Sequence, residues 1–256
     1  MNKTNYPLQS KKIILITGSS GSLGSAISHG FADNNATLIM HYHRNKEKTE
    51  ALRASINDAY PNTRADIVQA DLSDFDQTNA MVENIIHTYG RIDILVNCVG
   101  QAYDNPVFFL SDNDVEKTFS GNFSPVVNTC KSVSSHMIKQ ASGRIINVSS
   151  ITGLVGQPMR TLYGAAKGAV IAFTKSIARD LAPHGITVNA LAPQVVEGGI
   201  ADSMKDRIRQ LMLENTPCQR ACEVEDIVGA ALFLASPNAS FITGETMNIT
   251  GGLVTW

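Results

Sequence analysis

The sequence predicts a single doubly wound α/β domain, and three observations carry that prediction. Short apolar runs alternate with amphipathic helical stretches, glycine and proline fall between those segments, and no repeat or linker divides the chain. Strands met in this order are parallel, need crossover helices, and are covered on both faces. The 256 residues, 43% hydrophobic, would fill one large core or two small ones, and the unbroken alternation selects one.

Each element follows from its own pattern. After a polar leader, MNKTNYPLQS (1–10), that lacks the apolar run of a signal peptide, KKIILITG (11–18) is a short buried strand. A Gly/Ser turn then opens a helix over residues 23–32. ATLIMHYH (36–43) is a second strand, NKEKTEALRASINDAY (45–60) a charged amphipathic helix, and ADIVQA (65–70) a third strand. QTNAMVENIIHTYG (77–90) gives the next helix and RIDILVNCVG (91–100) the fourth strand. One long helix is expected over 112–139, then a strand at GRIINVSS (143–150) and a long apolar-striped helix at 162–182. GITVNALAP (185–193) is the sixth strand, 199–214 forms a short helix over a crevice, 223–235 is a further helix, and ETMNIT (245–250) is a late strand before Gly251 and Gly252. In such a sheet, ligands gather at the carboxyl ends of the strands.

Composition narrows the partners. With 21 Lys+Arg against 23 Asp+Glu the net charge is −2, so no global basic excess favours nucleic acid or an anionic membrane. The apolar stretches fall short of the roughly 20 residues that a membrane span needs. Cys98, Cys130, Cys218 and Cys222 have no zinc-ligand spacing with histidine, and His29, His87 and His136 are scattered over helices. Reduced thiols, a cytoplasmic location and no structural metal are expected.

The first chemical feature is TGSSGSLG (17–24), between the first strand and its helix. Glycine allows close backbone approach and a helix N-terminus offers amides to a pyrophosphate, so Gly18, Ser20, Ser22, Leu23 and Gly24 are candidate cofactor residues. The spacing is not GxGxxG, and a Ser/Gly turn alone is equally an ordinary connection; the strand, turn and helix order favours the cofactor. At the end of the second strand, HYHR (41–44) has no acid for a free ribose diol, whereas His43 and Arg44 suit a 2′-phosphate, which favours NADPH/NADP+ over NADH/NAD+. Asp71 and Leu72 are placed to flank an adenine, and Asn97 and Gly100 to pass the cofactor ribose.

Tyr163 and Lys167 stand four apart at the start of a helix, on one face. A nearby ammonium favours the phenolate and eases proton transfer near neutrality. Such a pair alone is also common on helix surfaces, but Ser150 just past the fifth strand reaches the same crevice, and Asn122 lies on the preceding helix.

TGSSGSLG at 17–24, DL at 71–72, NCVG at 97–100, Asn122 in GNF, SS at 149–150, YGAAK at 163–167 and GG at 251–252 together resemble the short-chain dehydrogenase/reductase family over nearly the whole chain. The resemblance implies a Rossmann-like, seven-stranded parallel sheet, a nicotinamide cofactor held by residues 11–256, and a homodimer or homotetramer. We expect pairing through the helices of Asn122 and Tyr163. It also implies that Tyr163 donates the proton, Lys167 holds the nicotinamide ribose, Ser150 binds the substrate oxygen and Asn122 supports a relay water. Three positions depart from the family pattern: Ser22 replaces a glycine, Pro193 is followed by Gln194 instead of glycine, and Gly198 replaces a threonine near the nicotinamide amide. Pro193 remains a candidate cofactor contact.

The chain is also similar to bacterial 3-oxoacyl-acyl-carrier-protein reductases, including residues 217–245, which implies reduction of 3-oxoacyl thioesters under a short cover at 195–213. Two positions where those enzymes offer arginine to the acidic carrier protein hold Ala141 and His184, which weakens the expectation of carrier docking. Residues 41–44 and 60–74 resemble the cofactor half of pteridine reductases instead. There Ser150 stands where an acid is usual, and Gln101 where an aromatic stacks, with Tyr103 nearby. Another small-ketone reductase and a non-catalytic NADPH-binding scaffold are the remaining readings.

Overall fold

The seven apolar runs pair into one parallel sheet: β1 (Ile13–Thr17), β2 (Thr37–Tyr42), β3 (Arg64–Gln69), β4 (Ile94–Asn97), β5 (Gly143–Val148), β6 (Ile186–Pro193) and β7 (Thr246–Ile249), in the spatial order β3-β2-β1-β4-β5-β6-β7. The computed structural model describes residues 8, 11–32, 34–101, 105–194, 210 and 214–255. Strand residues split between two cores. Ile14 and Ile16 pack with Phe31, Leu38, Met40 and Leu232 on one face, while Leu15 packs with Ile39, Leu95, Val133 and Val170 on the other. Burial on both faces is why these strands read as continuous apolar runs rather than alternating ones.

The helices are α1 (Ser22–Ala32), α2 (Lys46–Ala59), α3 (Phe75–Tyr89), α4 (Asp112–Asn122), α5 (Ser124–Gln140), α6 (Thr152–Val155), α7 (Thr161–Leu181) and α8 (Val224–Ala235). Helix α3 begins two residues before the expected start because the Asp74 carboxylate accepts from the Asp76 and Gln77 N–H groups, capping it there. The single helix expected over 112–139 is two helices. Pro125 lacks an N–H and its ring excludes the carbonyl four residues back, so the chain breaks at Phe123. Of the leader, only Leu8 is described, and it packs against the core. The helix expected at 199–214 lies outside the described residues, apart from 210 and 214.

β1 pairs with β2 on one side and β4 on the other. The chain therefore leaves β1 and β4 in opposite directions, opening a crevice at their carboxyl ends. No helix among the described residues is long and apolar enough to cross a membrane.

Candidate active site

A cleft of about 430 Å³ opens at the carboxyl ends of β1, β4, β5 and β6. Gly18, Gly21, Ser22, Leu23 and Gly24 form one wall, Cys98 and Gly100 the floor, and Ser150, Tyr163 and Lys167 the far side, with Pro193 and Gln194 at the β6 end. Its size is in the range of small-molecule sites. Gly18 adopts φ +67°, a backbone conformation that favours glycine, and a β-carbon there would also be crowded at 3.2 Å from the Val99 nitrogen. Ser22, which replaces a family glycine, is the first residue of α1 and has no positive φ. Its side chain is thus accommodated by ordinary helical backbone. Ser20 lies on the turn but not on the cleft wall.

Two of the adenosine-side candidates, Asn97 and Leu72, turn their side chains into the core. The Asn97 side chain turns into the protein, its amide donating to the Asn147 side-chain oxygen at 2.9 Å and its oxygen accepting from the Thr129 hydroxyl at 2.8 Å, so only its main chain is left for a cofactor ribose. Asn147 in turn donates to Thr174 at 2.9 Å. The chain of polar groups ties β4 and β5 to α5 and α7 inside the protein. Asn97 is the last residue of β4, and strand alternation turns it inward while Cys98 and Gly100 reach the cleft. Leu72 is the second of them. It is 3% exposed and belongs to the core, so only its main chain remains for an adenine.

Asp71 is at the surface, where the Ser73 hydroxyl and N–H hold its carboxyl below the usual range, and it stands 3.7 Å from the His43 imidazole. Arg44 is exposed beside them. His43, Arg44, Asp71 and Leu72 lie beyond the cleft lining, at the end of the crevice where an adenosine would extend.

On the reacting side, α7 places Tyr163 and Lys167 one turn apart, both buried. The Lys167 ammonium is 3% exposed and donates to the Val148 carbonyl at 3.0 Å. Burial pulls it down to about 8, with the neighbouring Cys98 opposing. That single acceptor leaves two of its N–H donors for a ligand. Gly100 packs over it; a β-carbon there would be 3.1 Å from Nζ. The Ser150 hydroxyl donates to Thr152 Oγ1 at 3.3 Å and accepts from the Thr152 N–H at 3.2 Å, both long enough to yield to a substrate oxygen.

Asn122 ends α4, where the break before Pro125 holds it against the loop after β4. Its amide donates to the Gln101 and Thr118 carbonyls, each at 2.9 Å, and its oxygen accepts from the Gln101 N–H at 3.0 Å. With the side chain so occupied, its main chain is the part able to hold a water.

Two residues escaped the sequence reading. Arg160 immediately precedes α7 and is 8% exposed on the cleft wall, with its guanidinium carbon 5.7 Å from the Tyr163 ring centre; Lys167 Nζ is 5.9 Å from that centre. An arginine three positions before the tyrosine was the available signal. His41 is the other, buried behind Gly18. Tyr103, Gly198 and the 195–213 cover lie outside the described residues, except for 210. The wall of glycine, the helix N-terminus, the spare Lys167 donors and exposed Arg44 fit a phosphorylated nicotinamide dinucleotide. Among the described residues, no three His, Cys, Asp or Glu side chains cluster to hold a metal.

The pattern of the family described as short chain dehydrogenase matches residues 12–209. A 3-oxoacyl-[acyl-carrier-protein] reductase from Staphylococcus aureus is 35% identical over 242 residues, covering 94% of this chain and 98% of that protein. One from Thermotoga maritima is 35% identical over 243 residues, covering 95% and 98%. Among solved structures, NAD+-bound xylitol dehydrogenase superposes with a TM-score of 0.88 at 29% identity, covering 94% of this chain and 98% of that one. The fold, the cleft and these matches agree, and the chain belongs to the short chain dehydrogenase family.

Proposed function

We propose that the protein is an NADPH-dependent carbonyl reductase that converts 3-oxoacyl thioesters to 3-hydroxyacyl thioesters. The observation that carries the chemistry is the meeting of Ser150, Tyr163 and Lys167 in one cleft with the glycine turn. The acyl substrate rests on likeness to the two 3-oxoacyl reductases. The local resemblance to pteridine reductases gains no support from those relatives.

When bound, the nicotinamide supplies the hydride. Ser150 donates a hydrogen bond to the substrate oxygen as charge develops there, and Tyr163 donates a hydrogen bond and then its proton to the same oxygen. Lys167 holds the nicotinamide ribose with its spare N–H donors, and its charge, with that of Arg160, stabilises the phenolate left on Tyr163. Asn122 holds a water through its main chain, by which the proton is restored. Arg44 recognises the 2′-phosphate, assisted by His43, although Asp71 beside His43 leaves Arg44 the main contributor.

The protein acts as a cytoplasmic homodimer or homotetramer. Exposed Val107, Phe108 and Phe109 before α4, and Val115 on it, support such an assembly. Carrier-protein docking has weaker support: Ala141 and His184 precede β5 and β6, at the sheet end away from the cleft, and bring no arginine. NADPH consumption with acetoacetyl and longer 3-oxoacyl thioesters, alongside dihydropterins and simple ketones, tests the reading. Turnover confined to dihydropterins, or binding of NADPH with no turnover on any of them, overturns it.

A further inference from the structure

His41 is 2% exposed on β2, immediately behind the glycine turn, and none of the roles assigned above uses it. Its Nδ1 lies 3.2 Å from the Gly18 nitrogen and its Nε2 lies 3.0 Å from the Ala70 oxygen. The chemistry of those partners fixes the ring. A peptide N–H only donates, so Nδ1 carries a lone pair; a carbonyl only accepts, so Nε2 carries the proton. The main chain of His41 adds a further tie, since its carbonyl accepts from the Ser19 N–H at 3.0 Å.

One residue therefore holds two successive peptide groups of the glycine turn and reaches the end of β3. Gly18 is where this matters most. Its φ of +67° begins the turn, and its carbonyl accepts from the Gly21 N–H at 3.0 Å. Rotation of that peptide would re-aim the amides from Gly21 to Leu23 that form the cleft wall. The Ala70 carbonyl directly precedes Asp71, and His43 follows two residues after His41, so this residue joins the glycine turn to the two segments expected to flank the adenosine.

We propose that His41, as the neutral Nε2–H tautomer, is a positioning residue that sets the glycine turn for dinucleotide binding. The environment keeps the ring in that state: burial pulls it down to about 4, against the hydrogen bond to Ala70, with His43 adding to the effect and Asp71 opposing it. Protonation would put an N–H on Nδ1 facing the Gly18 N–H, two donors with nothing to share. The inference rests on the reading of the cleft as an NADPH site, but the tether itself is a feature of the ligand-free protein.

The experiment pairs two substitutions that divide the functions of the ring. In His41→Asn the side-chain oxygen stands near the position of Nδ1 and can accept from Gly18; in His41→Gln the amide stands near Nε2 and can serve Ala70. Direct NADPH binding, followed by cofactor fluorescence, should weaken about tenfold in His41→Gln, the equivalent of one lost buried hydrogen bond, and recover within about threefold in His41→Asn. Turnover at saturating NADPH should fall less than affinity does. Equal affinities in the two variants, both folded by circular dichroism, overturn the proposal.

Nitrogen-15 NMR of histidine-labelled wild-type protein tests the tether without any substitution, and decides the matter if the variants fail to fold. A protonated Nε2 and unprotonated Nδ1 at pH 6 to 8, with Nδ1 moving when NADPH is added, supports it. The reverse tautomer, a charged ring, or an Nδ1 signal indifferent to bound NADPH overturns it. Wild-type protein that binds no NADPH overturns the cofactor reading instead; the tautomer then still decides whether the tether exists.

Discussion

Replacing Lys167 with Met should make the protein more stable and catalytically inactive. The lysine is 3% exposed, and burial brings its ammonium from 10.5 to about 8. At about 1.4 kcal/mol per pH unit, that interval means the fold at pH 7 is weakened by about 3 kcal/mol for carrying a charge inside the protein. Methionine has similar length and no charge. It forfeits the hydrogen bond to Val148, worth about 1 kcal/mol, so a net gain of about 2 kcal/mol is expected.

The pH dependence carries its own signature. Between about 8 and 10.5 the unfolded wild-type chain holds a proton on this lysine that the folded protein has released, so wild-type stability rises with pH there. The advantage of Lys167→Met is therefore fully present below about pH 8 and shrinks toward pH 10.5. Denaturant unfolding of both ligand-free proteins at pH 7 and pH 9.5, with a turnover assay, measures it. A variant less stable than wild type at pH 7, a difference unchanged at pH 9.5, or retained turnover would refute the reasoning.

Further outcomes follow from the same geometry. Tyr163→Phe should lower turnover by at least ~100-fold, because the proton donor is gone, while NADPH affinity measured by direct titration stays within about threefold. Asn97→Leu should cost about 2–4 kcal/mol in denaturant unfolding, since Asn147 and Thr129 lose a buried partner; a parallel tenfold loss of NADPH affinity would argue against its inward role. Arg44→Ala should narrow the preference for NADPH over NADH by about tenfold in direct binding, reflecting one lost charge-assisted contact, and an unchanged ratio would remove Arg44 from 2′-phosphate recognition.

Local pattern made most of the site legible. The four-residue spacing of Tyr163 and Lys167 needs only helical periodicity, and α7 delivers it. Gly18 and Ser150 are located by their positions just beyond β1 and β5. The inward turn of the Asn97 and Leu72 side chains was not legible, because position just past or at the end of a strand does not say which way a side chain points: polar Asn97 enters a buried hydrogen-bond network, and Leu72, between Asp71 and Ser73, enters the core. The break at Phe123 was missed although Pro125 marks it, since the apolar pattern continues on both sides. Arg160 carried a weaker signal, as a cation beside a helix start is most often a solvated one.

By itself, the sequence determined the parallel α/β architecture, the order of its elements and the strand ends that would bear chemistry. These are written in periodicity, turn residues and spacing, which act over a few positions. The tertiary structure decided which side chains of those segments meet. His41 and Gly18 are 23 positions apart, Asn97 and Asn147 are 50 apart, and Lys167 becomes a perturbed ammonium only because β5, Cys98 and Gly100 close over it. Burial and hydrogen-bond partnership depend on the whole packed sheet, because a side chain loses its water only when distant segments arrive around it.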